Sequence, residues 1–117
     1  IVEDAMKFVD RELKRGSKYD GIILDPPAFG HGPNKELWKI EEDLVPLMQK
    51  CRDLLTDKPL FVLMNGYASG YSHLAFEHLL EPLLKLHGGT VDGGELTLPE
   101  KESKRLLPCG IFARFSA

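Results

Sequence analysis

Apolar residues follow several different spacings along the chain, and each spacing predicts an element. Within residues 3–16, Met6, Val9 and Leu13 recur at helical intervals and share one face. Asp4 is suited to cap the start of that helix and Gly16 to end it. Residues 19–25, YDGIILD, form instead a short continuous apolar run. Such a run predicts a strand buried on both faces of a parallel sheet. A loop rich in Pro and Gly occupies 26–34. Helical spacing returns over 35–56, in Leu37, Ile40, Leu44, Met48, Cys51 and Leu55. Pro46 has no N–H, so a break is expected near Asp43, with a second helix starting there. PLFVLMN at 59–65 predicts a second buried strand, and 66–72 a glycine-bearing loop. A helix is predicted from Ser72 to Leu86, carrying Leu79, Leu80, Leu83 and Leu84, with a bend at Pro82 and a stop at Gly88 and Gly89. Beyond it the helical spacing ends. Residues 90–98 and 110–116 read as strands joined by a charged loop at 99–109, most simply an antiparallel pair.

The order helix, strand, helix, strand, helix, strand, strand predicts an α/β layered sheet. Parallel strands alternate with helices, and a final antiparallel strand pair closes the chain. Ligands in such sheets sit at the carboxyl ends of the parallel strands. Asp25 and Asn65 lie at two of those ends.

Composition narrows the possibilities. At 117 residues the chain is one domain or a piece of one, and Ile1 suggests that the natural start precedes it. No apolar run approaches the roughly 20 residues that cross a bilayer, so no membrane partner is expected. Cys51 and Cys109 form no paired motif, which points to a reducing, cytoplasmic setting. The net charge of −3 excludes a basic clamp, so any nucleic-acid contact must be local.

The candidate chemistry lies in ILDPPAFGHG. Asp25 offers a carboxylate at a strand end. Pro26 and Pro27 lack N–H groups, so their carbonyls can point outward from a rigid backbone. Phe29 adds a flat apolar face, and Gly30 and Gly32 let the chain turn away closely. Fixed acceptors beside an aromatic ring suit a planar group with N–H donors, such as a nucleobase. Stacking a base on such a ring is worth roughly 1–3 kcal/mol, against the few kcal/mol needed to flip one out of a helix. The same residues equally describe a plain strand ending.

ILDPPAF resembles motif IV of the class I S-adenosylmethionine-dependent methyltransferases, and its one-residue gap before Phe29 resembles the large-subunit ribosomal RNA cytosine-C5 methyltransferase I group. VEDAMKFV is similar to that group's end of the third strand, LWKIEEDLVPLMQKCRDLL keeps its order and spacing, and GGELTLPEKESKRLLPCGIFARF is similar to its last strand pair. The resemblance implies a Rossmann-like sheet, of which this chain is the C-terminal part, from a third-strand stub to the last strand. It implies S-adenosylmethionine as cofactor and RNA, ribosomal RNA in particular, as partner. Asp4 and Ala5 would line the adenine pocket, with Asp4 accepting from the adenine amino group. Asp25, Pro26 and Pro27 would stand beside donor and target, and Phe29 would contact the target ring.

No G-x-G pattern precedes the first helix, so half of the cofactor site implied by the resemblance is not in this sequence. A truncated chain, a natural fragment and a half that assembles with another chain are all expected alternatives. A catalytically inactive binding or assembly module is the rival function. An uncovered sheet edge predicts a homo-oligomer. Carbon-5 methylation requires a covalent nucleophile, usually a Cys thiolate. None lies in the motif, Cys51 reads as an inert core residue, and Cys109 stands at the start of the last strand. A nitrogen target needs no such nucleophile. Asn65, Tyr67 and Tyr71 lie at or beside the ligand edge, where Asn65 and Tyr67 are candidate substrate contacts. His31 reads as a loop histidine. His73, His78 and His87 lack ligand spacing, so no metal site is expected. Lys101, Lys104 and Arg105 read as a solvated loop near that edge, and Trp38 as a packing residue.

Overall fold

The computed structural model describes residues 1–67 and 70–117. Two residues of the loop predicted at 66–72 therefore lie outside the described residues. Helix α1, Ala5–Arg15, starts where Asp4 accepts the Lys7 amide at 3.0 Å and ends at Gly16, whose φ of 73° is left-handed. Its buried Glu12 takes the Tyr19 hydroxyl at 2.8 Å and the Arg15 guanidinium at 3.1 Å. Hydrogen bonding with Ser17 first, then with Tyr19 and Arg15, holds the Glu12 carboxyl below its ordinary pKa, and the Glu12 bond pushes the Tyr19 phenol up. Strand β1, Gly21–Leu24, follows.

The next segment departs from the sequence expectation. Residues 26–34 are not all loop, and no helix begins at 35. Strands β2, Phe29–His31, and β3, Leu37–Lys39, form an antiparallel hairpin. Helix α2 then runs unbroken over Ile40–Asp53, with Pro46 inside it and no second start near Asp43. Pro46 lies on the exposed side, as does Glu42, whose carbonyl loses its helical partner where solvent can reach it. Leu44, Leu47, Met48 and Cys51 bury the opposite side. At roughly 1.5–3 kcal/mol for a fully buried large side chain, they outweigh a proline cost of about 3 kcal/mol.

Strand β4 is Phe61–Gly66, and helix α3, His73–His87, is capped by the Ser72 hydroxyl and continues through Pro82. Strands β5, Thr90–Pro99, and β6, Leu106–Ser116, are antiparallel as expected. They are longer than expected, so the predicted loop at 99–109 shrinks to residues 100–105. The four-stranded sheet has the order β1-β4-β6-β5. β1 and β4 are parallel, and β6 runs against both of its neighbours. Beyond the Gly66–Ile111 pairing, β5 and β6 continue as an arm past the carboxyl end of β4.

The expectation of strands buried on both faces is corrected. Val62 and Met64 alternate inward with Ala113 and Phe115, against a core from all three helices that includes Val9, Leu44, Phe76 and Leu80. Among the described residues no helix covers the other face, and Ile23 of β1 is 65% exposed. A two-layer arrangement buries one face per strand, and β1 is also an edge strand. No helix among the described residues is long and apolar enough to cross a membrane.

Candidate active site

The parallel strands β1 and β4 end side by side, and the backbone leaving β1 turns over the end of β4. Asp25, Pro26, Pro27, Ala28, Gly66 and Tyr67 line a cavity of about 260 Å³ there. That is just below the roughly 300–1,000 Å³ of most small-molecule sites, and suits a single ring or amino group. Tyr67 stands at the rim, 83% exposed. The Pro26 carbonyl oxygen lies 3.5 Å from the point a Cβ on Gly66 would occupy, so the missing side chain opens the cavity beside it. Neither the Asp25 carboxylate nor the Pro26 carbonyl has a hydrogen-bond partner among the described residues.

The Pro27 carbonyl is different. Both proline carbonyls were expected to point outward unoccupied, but Trp38 donates its indole N–H to Pro27 at 2.7 Å. The Ala28 carbonyl accepts from the Ile40 amide at 3.0 Å. The hairpin thus holds the loop from behind.

A second cleft, about 640 Å³, lies on the far side of Pro27. Asp4, Ala5, Pro27, His31, Gly32 and Trp38 are among its walls, so Pro27 separates it from the first. One Asp4 oxygen is engaged by the Lys7 amide, and the other is unpartnered among the described residues. Ala5 opens α1 onto the cleft. The hairpin is tied to this side as well. Lys7 Nζ meets the Glu36 carboxylate at 2.7 Å, and the Asn34 amide donates to the same carboxylate at 2.9 Å. The Lys7 bond, first of all, lowers the Glu36 pKa from 4.5 to about 2. A Cβ on Gly32 would crowd the Glu36 carboxylate and displace this side chain from its bonds.

Phe29 and Asn65 line neither cavity. The pleat of β2 puts Gly30 and Trp38 toward Pro27 and turns Phe29 to the outer face, where it is 57% exposed and meets the His31 ring edge-on at 5.3 Å. Asn65 alternates with the inward Met64 and Gly66, and so lies on the open face of the sheet. His73 pairs with Glu77 at 2.7 Å. Cys51 is 2% exposed, and burial pushes its thiol up to about 11. Cys109 is the extra residue of a β-bulge, between the Leu96–Gly110 and Thr97–Pro108 pairs, and lines neither cavity. Lys101, Lys104 and Arg105 are exposed at the tip of the β5–β6 arm. Among the described residues no group of His, Cys, Asp and Glu is placed to hold a metal ion.

Sequence reasoning missed Ala28 and Gly66 as lining residues, and Trp38 and Glu36 as supports. A signal for the hairpin was present: FGH and LWK flank a Gly-Pro-Asn turn.

No family model and no curated protein matches the chain. Among solved structures it is similar to the SAM-dependent methyltransferase from Agrobacterium tumefaciens, with 36% identity over 99% of this chain and 39% of that one, at a TM-score of 0.90. It is also similar to SMU.776, assigned as a methyltransferase and complexed with SAH, at 21% identity over 96% of this chain and 30% of that one, TM-score 0.60. A Streptococcus mutans protein assigned as a SAM-dependent methyltransferase shares 16% identity over 96% of this chain and 29% of its own, TM-score 0.58. The chain therefore spans between 29% and 39% of the lengths of these relatives. Its fold is the class I fold of SAM-dependent methyltransferases.

Proposed function

We propose that this chain forms the acceptor side of a methyltransferase site, serving transfer from S-adenosylmethionine to an amino nitrogen of an RNA base, with ribosomal RNA the first candidate. One observation carries the reading. The Asp25 carboxylate and the Pro26 carbonyl are two acceptors at one cavity, unpartnered among the described residues, with Tyr67 at its rim. An amino group brings two N–H donors and matches them. Asp25 is exposed and Pro26 half-buried, so the match favours an amino group over a group lacking donors chiefly by the two hydrogen bonds it makes. Asp25 is also placed to take the proton that the nitrogen gives up on methylation. Tyr67 offers a face for stacking the base.

The second cleft fits the adenosine end of S-adenosylmethionine: it joins an apolar wall at Ile1 and Val2 to an Asp4 oxygen that is free among the described residues. When bound, the cofactor supplies an electrophilic methyl group. Pro27 lines both cavities, so the methyl group and the acceptor nitrogen would meet in direct contact past its edge. A cytosine carbon-5 target, implied by the closer resemblance in sequence, is less well supported. Among the described residues no Cys lines either cavity.

The uncovered outer edge of β1 and the open sheet face favour a second reading, an assembly module that keeps the fold and binds no cofactor, joined to further copies of itself. Calorimetry with S-adenosylmethionine separates the two. Micromolar binding, weakened by Asp4→Ala, supports the methyltransferase reading. No heat, with a stable oligomer in sedimentation, supports the assembly module, while a monodisperse monomer refutes the oligomer. The acceptor is tested by nuclear magnetic resonance with nucleosides. Adenosine or cytidine should shift the Gly66 and Tyr67 amides where uridine does not, and Asp25→Ala should remove the effect.

A further inference from the structure

We infer that Trp38 is a positioning residue that decides which backbone carbonyl faces the methyl acceptor, an inference that rests on the acceptor-side reading of the Asp25 cavity. Two consecutive prolines lock φ at both positions and remove both N–H groups. What remains free is the orientation of the peptide planes, and each plane carries one carbonyl. The Trp38 indole takes the Pro27 carbonyl at 2.7 Å, and the Ile40 amide takes that of Ala28 at 3.0 Å. Among the described residues the Pro26 carbonyl is left unpartnered beside Gly66.

Selection by Trp38 depends on its being held in place. Its register partner is Gly30, and a Cβ there would lie 3.6 Å from the Pro27 ring. The hairpin therefore rests directly on Pro27. Its turn is anchored to α1 through Glu36 and Lys7. Without the indole donor, the Pro27 carbonyl becomes a rival acceptor one residue away, and its plane is free to rotate. The acceptor pair of Asp25 and Pro26 is then no longer unique.

Trp38 is the one tryptophan of the chain, so the donor can be removed at a single site. Biosynthetic replacement of tryptophan by β-(3-benzothienyl)alanine keeps the bicyclic shape and deletes the N–H. Trp38→Phe is a second variant. In the unmodified protein the indole proton should exchange with solvent about fivefold or more slowly than that of free indole, the factor expected for one net hydrogen bond. In the benzothienyl protein the Ala28, Gly66 and Tyr67 amide signals should shift while those of Phe76 and Leu80 stay in place. A purely structural role for the ring predicts that none of these signals moves, because the analogue preserves packing. The adenosine response at Gly66 should also weaken by about fivefold. The inference is overturned if the indole exchanges at the free rate, or if the loop signals do not move when the N–H is lost. Failure of the unmodified protein to bind any nucleoside, with the loop signals behaving as expected, would instead refute the acceptor reading and leave the control of the loop by Trp38 standing.

Discussion

Replacing Gly110 by Ala should be among the most damaging single-methyl additions to this chain. Gly110 borders the bulge in β6 and has φ 151°, a region that residues with a Cβ rarely occupy. That backbone state costs a non-glycine residue on the order of 1–3 kcal/mol. The new Cβ would also stand 2.8 Å from the Gly66 carbonyl oxygen. This neighbour is backbone inside a paired strand, so it cannot rotate aside, and overpacking of this kind costs roughly 1–3 kcal/mol more. The sum, about 2–6 kcal/mol, converts to a fall in Tm of roughly 10–25 °C for a domain of this size. Gly66→Ala is the matched control. Its φ is not positive, and its Cβ would meet the Pro26 oxygen at 3.5 Å and the Phe76 ring at 3.6 Å, which are ordinary contacts. Stability should change by less than about 1 kcal/mol, yet the methyl group enters the acceptor cavity and should abolish the nucleoside response. Circular-dichroism melts of both variants decide the matter. A Gly110→Ala protein that melts with the unmodified chain would refute the reasoning about this contact.

Two further outcomes follow from ionisable groups. Glu36 titrates at about 2 in the fold against an ordinary 4.5, so its contribution to stability is complete above about 4.5 and is lost as pH falls toward 2. Acid unfolding followed by circular dichroism should show that loss, and Glu36→Gln should remove this part of the acid dependence. The Cys51 thiol, buried and raised to about 11, should stay unreactive toward a disulfide reagent at neutral pH until the chain unfolds, while Cys109 reacts in the native state. Equal reaction rates for the two thiols would contradict the packing of α2.

The elements legible in the sequence were those set by local chemistry. Asp4 and Gly16 bracket α1, Ser72 starts α3, and the lack of helical spacing after Gly89 marks the antiparallel pair. What was not legible depends on contacts between distant residues. Leu37 fits a helical period with Ile40 and Leu44, but the bonds of Trp38 to Pro27 and of Glu36 to Lys7 draw its segment into a hairpin. Pro46 reads as a break because the sequence does not reveal that it would face water. Ile22 and Ile23 read alike, yet only Ile22 turns toward the helices. In the site, Asp25, Pro26, Pro27 and Tyr67 come together from the ends of adjacent strands, as strand order predicts. Phe29 does not join them, because the pleat of β2 is set by its pairing with β3.

The strand order also constrains how the chain reaches this fold. β6 follows β4 and β5 in sequence, yet it lies between them and supplies, among the described residues, the only pairing that β5 has. Until β6 arrives, the parallel β1–β4 pair and β5 belong to separate pieces, so the sheet closes in one late step between residues such as Phe61 and Ser116, far apart in sequence. High contact order of this kind slows folding. During synthesis β5 must remain an unpaired strand until β6 has cleared the ribosome, a window in which chaperone binding would have its greatest effect.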